Sequence, residues 1–174
     1  GIDGVAQSAL RAVVTYLIVY AATNLGVFAV VMVVARKTRS GDIASYGGLF
    51  SYAPGIATVM TLFMASLAGI PPLGGWFGKF AAFQSLISAG TTWAYVLAVI
   101  GGVNSVVAFG YYGSILREMW MRPVPDGDTT PVKVHSSLAV ALGITSIATL
   151  VLGVLPGIVI HFGDIAGLSG AFGR

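Results

Sequence analysis

Cysteine is absent from this 174-residue chain, and charge nearly so: nine lysines and arginines and six aspartates and glutamates, 9% of the residues. The first absence excludes disulfides, thiolate metal sites and thiol chemistry. The second excludes a water-soluble fold. Globular proteins carry about 25% charged residues, and fifteen charged side chains cannot cover a folded surface of this size. The net charge of +3 is spread too thinly to form a basic stripe, so it gives no footing for nucleic acid. What is present is apolar: 56% hydrophobic residues, a mean hydropathy of +0.90, and 24 glycines. Glycine is frequent in membrane helices. The composition is that of an all-α integral membrane chain in contact with a lipid bilayer.

The few charges divide the chain. Between Arg11 and Arg36 lie 24 uncharged residues, and between Lys133 and Asp164 lie 30. The 74 residues between Asp42 and Arg117 hold one charge, Lys79. About 20 apolar residues cross a hydrocarbon core of roughly 30 Å. The intervals therefore predict five transmembrane helices, at about 11–35, 54–69, 72–89, 93–120 and 136–160, in a single membrane domain. Between the second and third, Gly69, Pro71, Pro72, Gly74 and Gly75 break the helix, since proline lacks the N–H and clashes with the preceding turn. Residues 40–52 read as a short interfacial turn, 122–134 as the one clearly polar loop, and 165–174 as a Gly-rich tail. The first span is too long for a signal peptide, and Arg36-Lys37 follows it where a small-residue cleavage site belongs. Five alternating spans put Arg11, Arg117, Arg122 and Lys133 on one face and Arg36, Lys37, Arg39 and Arg174 on the other. The positive-inside rule then gives no orientation.

Lys79 is the exception among the charges, because it lies inside a span. A lysine at a helix centre costs about 2.5–3.5 kcal/mol on insertion scales. Desolvation works against the charged form, so a lysine there is suited to binding and releasing a proton. Two other readings stand beside that one: the side chain snorkels to the headgroups, or it makes a structural ion pair. The broken helix just before it favours the functional reading. Such breaks free backbone groups at membrane depth, and transporters place them near their sites; a plain interhelical turn is the other possibility. Gly74 and Gly78 form a GxxxG spacing that permits close helix approach.

Several motifs fail on inspection. Gly78-Lys79 is not the end of a P-loop, because Leu73 and Phe80 stand where glycine and Ser/Thr are required. No GxGxxG occurs, so no dinucleotide site is expected. His135 and His161 lie 26 residues apart across one span, about 39 Å along a helix, and cannot share a metal. Polar residues inside the spans are Tyr16, Tyr20, Thr23 and Asn24 on one face of the first helix, and Asn104, Ser105, Tyr111 and Tyr112 on the fourth. They either join helices or hold water beside Lys79. The chain has no intramembrane carboxylate, so most of Lys79's proton partners must come from elsewhere.

The order Tyr16-Leu17-Ile18-Val19-Tyr20, Asn24-Leu25-Gly26-Val27-Phe28, Tyr46-Gly47-Gly48-Leu49, Ser66-Leu67-Ala68-Gly69-Ile70-Pro71-Pro72, Gly75-Trp76-Phe77-Gly78-Lys79-Phe80, Asn104-Ser105 and Tyr111-Tyr112 resembles the antiporter-like membrane subunits of respiratory complex I. Within that family it is most similar to the subunit N group, the equivalent of mitochondrial NADH dehydrogenase subunit 2. The resemblance covers about residues 10–160, and SLAGIPP…GKF is its most specific part. It implies the C-terminal part of a subunit of about fourteen helices. It further implies a proton-translocating role in NADH–quinone oxidoreductase, with Lys79 matching the lysine of the outer proton half-channel. Other complex I membrane subunits are the implied partners, and the implied location is the inner membrane of a bacterium, with the C-terminus outside. NADH, flavin, iron–sulfur clusters and quinone are expected on other subunits, with no cofactor and no metal in this chain. The family's glutamate and central lysines lie on helices that precede this stretch. Trp76 departs from the phenylalanine common in the family. A subunit of a cation/proton antiporter or a membrane-bound hydrogenase, which share the module, and a non-conducting scaffold are the alternative readings.

Overall fold

A computed structural model describes residues 2–155 and 157, with side chains at residue 10 and at 12–155. Among these residues there is no β-strand, and the chain is all-α. Its helices are α1 (Ile2–Thr38), α2 (Leu49–Tyr52), α3 (Pro54–Ala68), α4 (Gly74–Ala89), α5 (Thr92–Met121) and α6 (Ser136–Val154), with a 3-10 turn at Ile43–Tyr46. Three are long and apolar enough to cross a bilayer: α1 over Ala12–Thr38, α5 and α6. The expected end of the last span at 160, His161 and the 165–174 tail lie outside the described residues.

Local chemistry sets the boundaries. Pro54 opens α3, where its missing N–H is one of the helix's unpaired donors in any case. Gly69 closes α3 in the left-handed region at φ 90°, a conformation glycine adopts without strain. Gly90 closes α4 in the same way. The Thr91 hydroxyl then accepts the Ala94 N–H at 3.3 Å and caps the start of α5. The segment around 40–52 folds as the 3-10 turn and α2, with Tyr46, Leu49 and Tyr52 buried.

Helix directions follow from which residues meet. Phe63 of α3 lies against Gly26 of α1; farther on, Gly74 and Gly78 of α4 lie against Val19 and Tyr16. The partner position on α1 thus retreats by ten residues, about 15 Å, as the chain advances from α3 into α4. Helix α5 reports the same order. Trp120 Nε1 donates to Thr61 Oγ1 at 2.9 Å, whereas Gly101 lies beside Phe83. At 15 and 16 residues, α3 and α4 are each short of the roughly 20 that a bilayer requires. They run on in one direction as the two halves of a single pass.

Five apolar helices therefore make four passes. This corrects the sidedness that alternation gave to the charges. The end of α1 and the loop between α5 and α6 share one end of the bundle, where Lys37 Nζ donates to Asp128 O at 3.2 Å and to the Thr130 carbonyl. Arg36, Lys37, Arg39, Arg122 and Lys133 all cluster there. The opposite end carries the uncharged 90–91 turn.

The packed core occupies the half of the bundle nearer the loop, built from Val30, Val34, Leu49, Met60, Phe63 and Met119. Lipid is as apolar as these side chains, so inside a bilayer they associate through close packing rather than expulsion of water. Small residues supply the closeness. A Cβ on Gly26 would run into the Phe63 ring, and one on Gly78 would lie 2.9 Å from Tyr16 Cδ2. Both glycines of the GxxxG spacing face α1. Helix α5 is the contrast: only 6% of its apolar window is buried, and Val99, Val103, Val106 and Val107 are exposed.

Candidate functional site

Four terminal carbonyls of any helix lack an intrahelical partner, and at membrane depth each must find one. At the end of α3 two of them are met by the chain itself. Gly69 N–H donates to Ala65 O and Ser66 O at 3.1 and 3.0 Å, and Ile70 N–H to Ala65 O at 3.0 Å. The carbonyls of Leu67 and Ala68 remain. Lys79 takes both: its Nζ donates to Leu67 O at 2.9 Å and Ala68 O at 3.2 Å. An ammonium at a helix C-terminus also meets the negative end of the helix dipole. The lone intramembrane charge and the broken helix are thus one structure, with the lysine of the second half capping the first.

The break is held tightly around this contact. Gly75 N–H donates to Ser66 Oγ at 3.1 Å, tying the start of α4 to the last turn of α3. Pro72 O and the Gly74 N–H pass so close to Gly153 of α6 that a Cβ there would collide with both. The Pro71–Pro72 peptide is cis.

A groove of about 450 Å³ opens beside Lys79, lined by α1, α4 and α5 together with Leu67 of α3. Of the polar residues singled out from sequence, Tyr16, Tyr20, Asn104, Ser105 and Tyr112 line it with the lysine. Ser105 Oγ donates to Gly101 O at 2.9 Å. Thr23 lies deeper, lining a small, only partly open cavity that also includes Tyr16, Ser66, Gly75 and Lys79. Two residues stand apart. Asn24 Nδ2 donates to Tyr20 O at 2.8 Å, and neither Asn24 nor Tyr111 lines the groove. Tyr111 points outward, 55% exposed, while its neighbour Tyr112 takes the groove position together with Tyr20.

Sequence reading missed Thr149 of α6. It is fully buried, and its hydroxyl lies 3.4 Å from Thr23 Oγ1. Its signal was only a threonine inside an apolar span. The Leu67 and Ala68 carbonyls were also missed, because backbone acceptors leave no mark in composition. Among the described residues no group of three His, Cys, Asp or Glu side chains is placed to hold a metal.

The transmembrane family described as NADH:quinone oxidoreductase/Mrp antiporter matches residues 3–105, more than half of the chain. The chain belongs to this family. The match takes in α1, the broken pass with Lys79 and the first half of α5. Among its curated relatives, NADH-quinone oxidoreductase subunit N of Desulfitobacterium hafniense is 40% identical over 159 residues, 90% of this chain and 31% of that protein. Subunit N 2 of Sorangium cellulosum is 39% identical over 155 residues, 88% of this chain and 30% of that protein. The chain thus spans about a third of the length of the curated relatives it matches. A chain of respiratory complex I from Thermus thermophilus, solved with aureothin bound, shares the fold at a TM-score of 0.56 and 23% identity. It is matched over 92% of this chain and 45% of its own length.

Proposed function

We propose that the chain is the C-terminal part of a proton-translocating membrane subunit of NADH–quinone oxidoreductase, and that Lys79 is the group in it whose proton occupancy changes. The observation that carries this reading is the seat of Lys79. It is the one charge in 74 residues, fastened to the break carbonyls and facing a groove of about 450 Å³ lined by tyrosines, Asn104 and Ser105. Tyrosine, serine and asparagine both donate and accept hydrogen bonds, so the groove suits water that carries protons to and from an amine. Subunit N of the oxidoreductase is the name borne by the relatives cited above, which favours this member of the family over a cation antiporter.

On this reading the other membrane subunits of the complex are the partners. NADH, flavin, iron–sulfur clusters and quinone belong to other subunits, and this chain adds no redox step. Its setting is the inner membrane of a bacterium. The basic cluster at the loop end of the bundle then faces the cytoplasm under the positive-inside rule, and α6 runs outward.

The test is Lys79→Ala in the complete subunit within its assembled complex, with proton pumping and NADH–quinone turnover measured together. The expected result is a severalfold fall in both, with assembly intact. Wild-type pumping and turnover would make Lys79 a structural cap and the chain a scaffold. Pumping driven by a sodium gradient without quinone turnover would instead select the antiporter branch of the family.

A further inference from the structure

Lys79 lines two spaces, the open groove and a smaller, only partly open cavity of about 10 Å³ whose lining includes Thr23, Ser66, Leu67 and Gly75. The second has the volume of about one water, the least that a water requires. It is also polar enough, which a donor and acceptor inventory shows. A lysine ammonium has three hydrogens, and Leu67 O and Ala68 O take two. Ser66 is fully buried, and its Oγ accepts the Gly75 N–H; among the described residues nothing accepts its hydroxyl hydrogen. Thr23, also buried, donates to Val19 O at 2.9 Å and pairs with Thr149 Oγ1. With its own hydrogen used on Val19, Thr23 accepts from Thr149 and keeps a second lone pair. Among the described residues, two unused donors and one unused acceptor thus surround a void of one water's size. A water accepts twice and donates twice, so it satisfies all three.

We propose that this cavity binds one ordered water, which joins the third hydrogen of Lys79 to Ser66 and Thr23 and so positions the lysine between groove and bundle interior. The proposal rests on the reading of Lys79 as the proton-carrying group and adds Ser66 and Thr23 as its positioning residues. Water is the ligand class that fits. The cavity is too small for a hydrated cation, and the donors already present would repel a bare one.

The experiment is a structure of the complete, assembled complex at a resolution where other buried waters are visible, with pumping assayed on the same preparations. The unaltered complex should show density within hydrogen-bond distance of Lys79 Nζ, Ser66 Oγ and Thr23 Oγ1; an empty cavity there overturns the site, whatever the variants do. Thr23→Val keeps the shape and removes the acceptor. It is expected to lose the density and slow pumping by roughly three- to tenfold, the weight of one hydrogen bond, while Thr23→Ser retains both. Loss of the density with wild-type pumping would overturn the positioning role. Wild-type pumping in Lys79→Ala would overturn the proton-carrying reading instead, and the density in the unaltered complex would still decide whether the water is bound.

Discussion

Gly75 has no room for a side chain. A Cβ there would overlie the Ser66 carbonyl, backbone that cannot turn aside. Gly75→Ala must therefore push the two halves of the broken pass apart, at a cost of about 1–3 kcal/mol or more for such overpacking. The expected outcome is a lower thermal midpoint and poorer assembly of the complex. Gly102→Ala is the control, since nothing lies within 4 Å of its added Cβ and a helical glycine-to-alanine change is neutral to slightly stabilising. Lys79 was legible in the sequence because a single charge in a long uncharged run needs no structure to be seen. Its partners were not, because the acceptors are main-chain oxygens at Leu67 and Ala68. The tyrosine pair shows a different limit. Tyr111 and Tyr112 are neighbours in sequence, but successive helix positions point about 100° apart. Only one of them reaches the groove, and spacing alone did not say which.

Between elements, Lys37 is the main tie. Its ammonium sits 4.2 Å over the Tyr52 ring, 3.5 Å from the Asp128 carboxylate and 3.3 Å from Thr130 Oγ1, besides the two loop carbonyls. It joins the end of α1 to α2 and to the loop between α5 and α6. Lys37→Met removes every one of these polar contacts while keeping the apolar stem, and is expected to make residues 122–134 cleave severalfold faster in limited proteolysis. Asp128 adds a pH signature. The Thr130 N–H and hydroxyl, with Lys37 adding to them, hold its carboxyl below the usual carboxylate range. A carboxyl depressed in the folded state contributes stability at pH values above its unfolded pKa and loses it as the pH falls through the folded one. Loop protection due to Asp128 should thus be unchanged from pH 8 to 5 and fade only below about pH 4; fading near pH 6 would count against this assignment. The apolar segments and the break could be read from composition because hydropathy and proline are local signals. The shared direction of α3 and α4 is not local. It resides in which residue of α1 or α5 each half touches.

Across the whole chain the absence of cysteine is an experimental convenience, because an introduced thiol is the only one within these 174 residues, and any cysteine elsewhere in the complete subunit is replaced first. Gly41→Cys, Thr129→Cys and Thr92→Cys, each made in the complete subunit in membrane vesicles, test the four-pass arrangement with a membrane-impermeant thiol reagent. Residues 41 and 129 should label from the same side, and 92 from the other. Five alternating passes would instead pair 41 with 92. The side that labels 41 and 129 is expected to be the cytoplasmic one, and labelling from outside would reverse the proposed orientation.

The fastening of Lys79 has one more result. A neutral amine keeps two hydrogens, as many as the Leu67 and Ala68 carbonyls use. Surrendering a proton therefore leaves both bonds to the end of α3 intact. On the proposed reading of Lys79 as the proton carrier, the charge at this point of the membrane switches off and on while the joint that carries it stays closed, so neighbouring groups would sense a change of field and not a moving hinge.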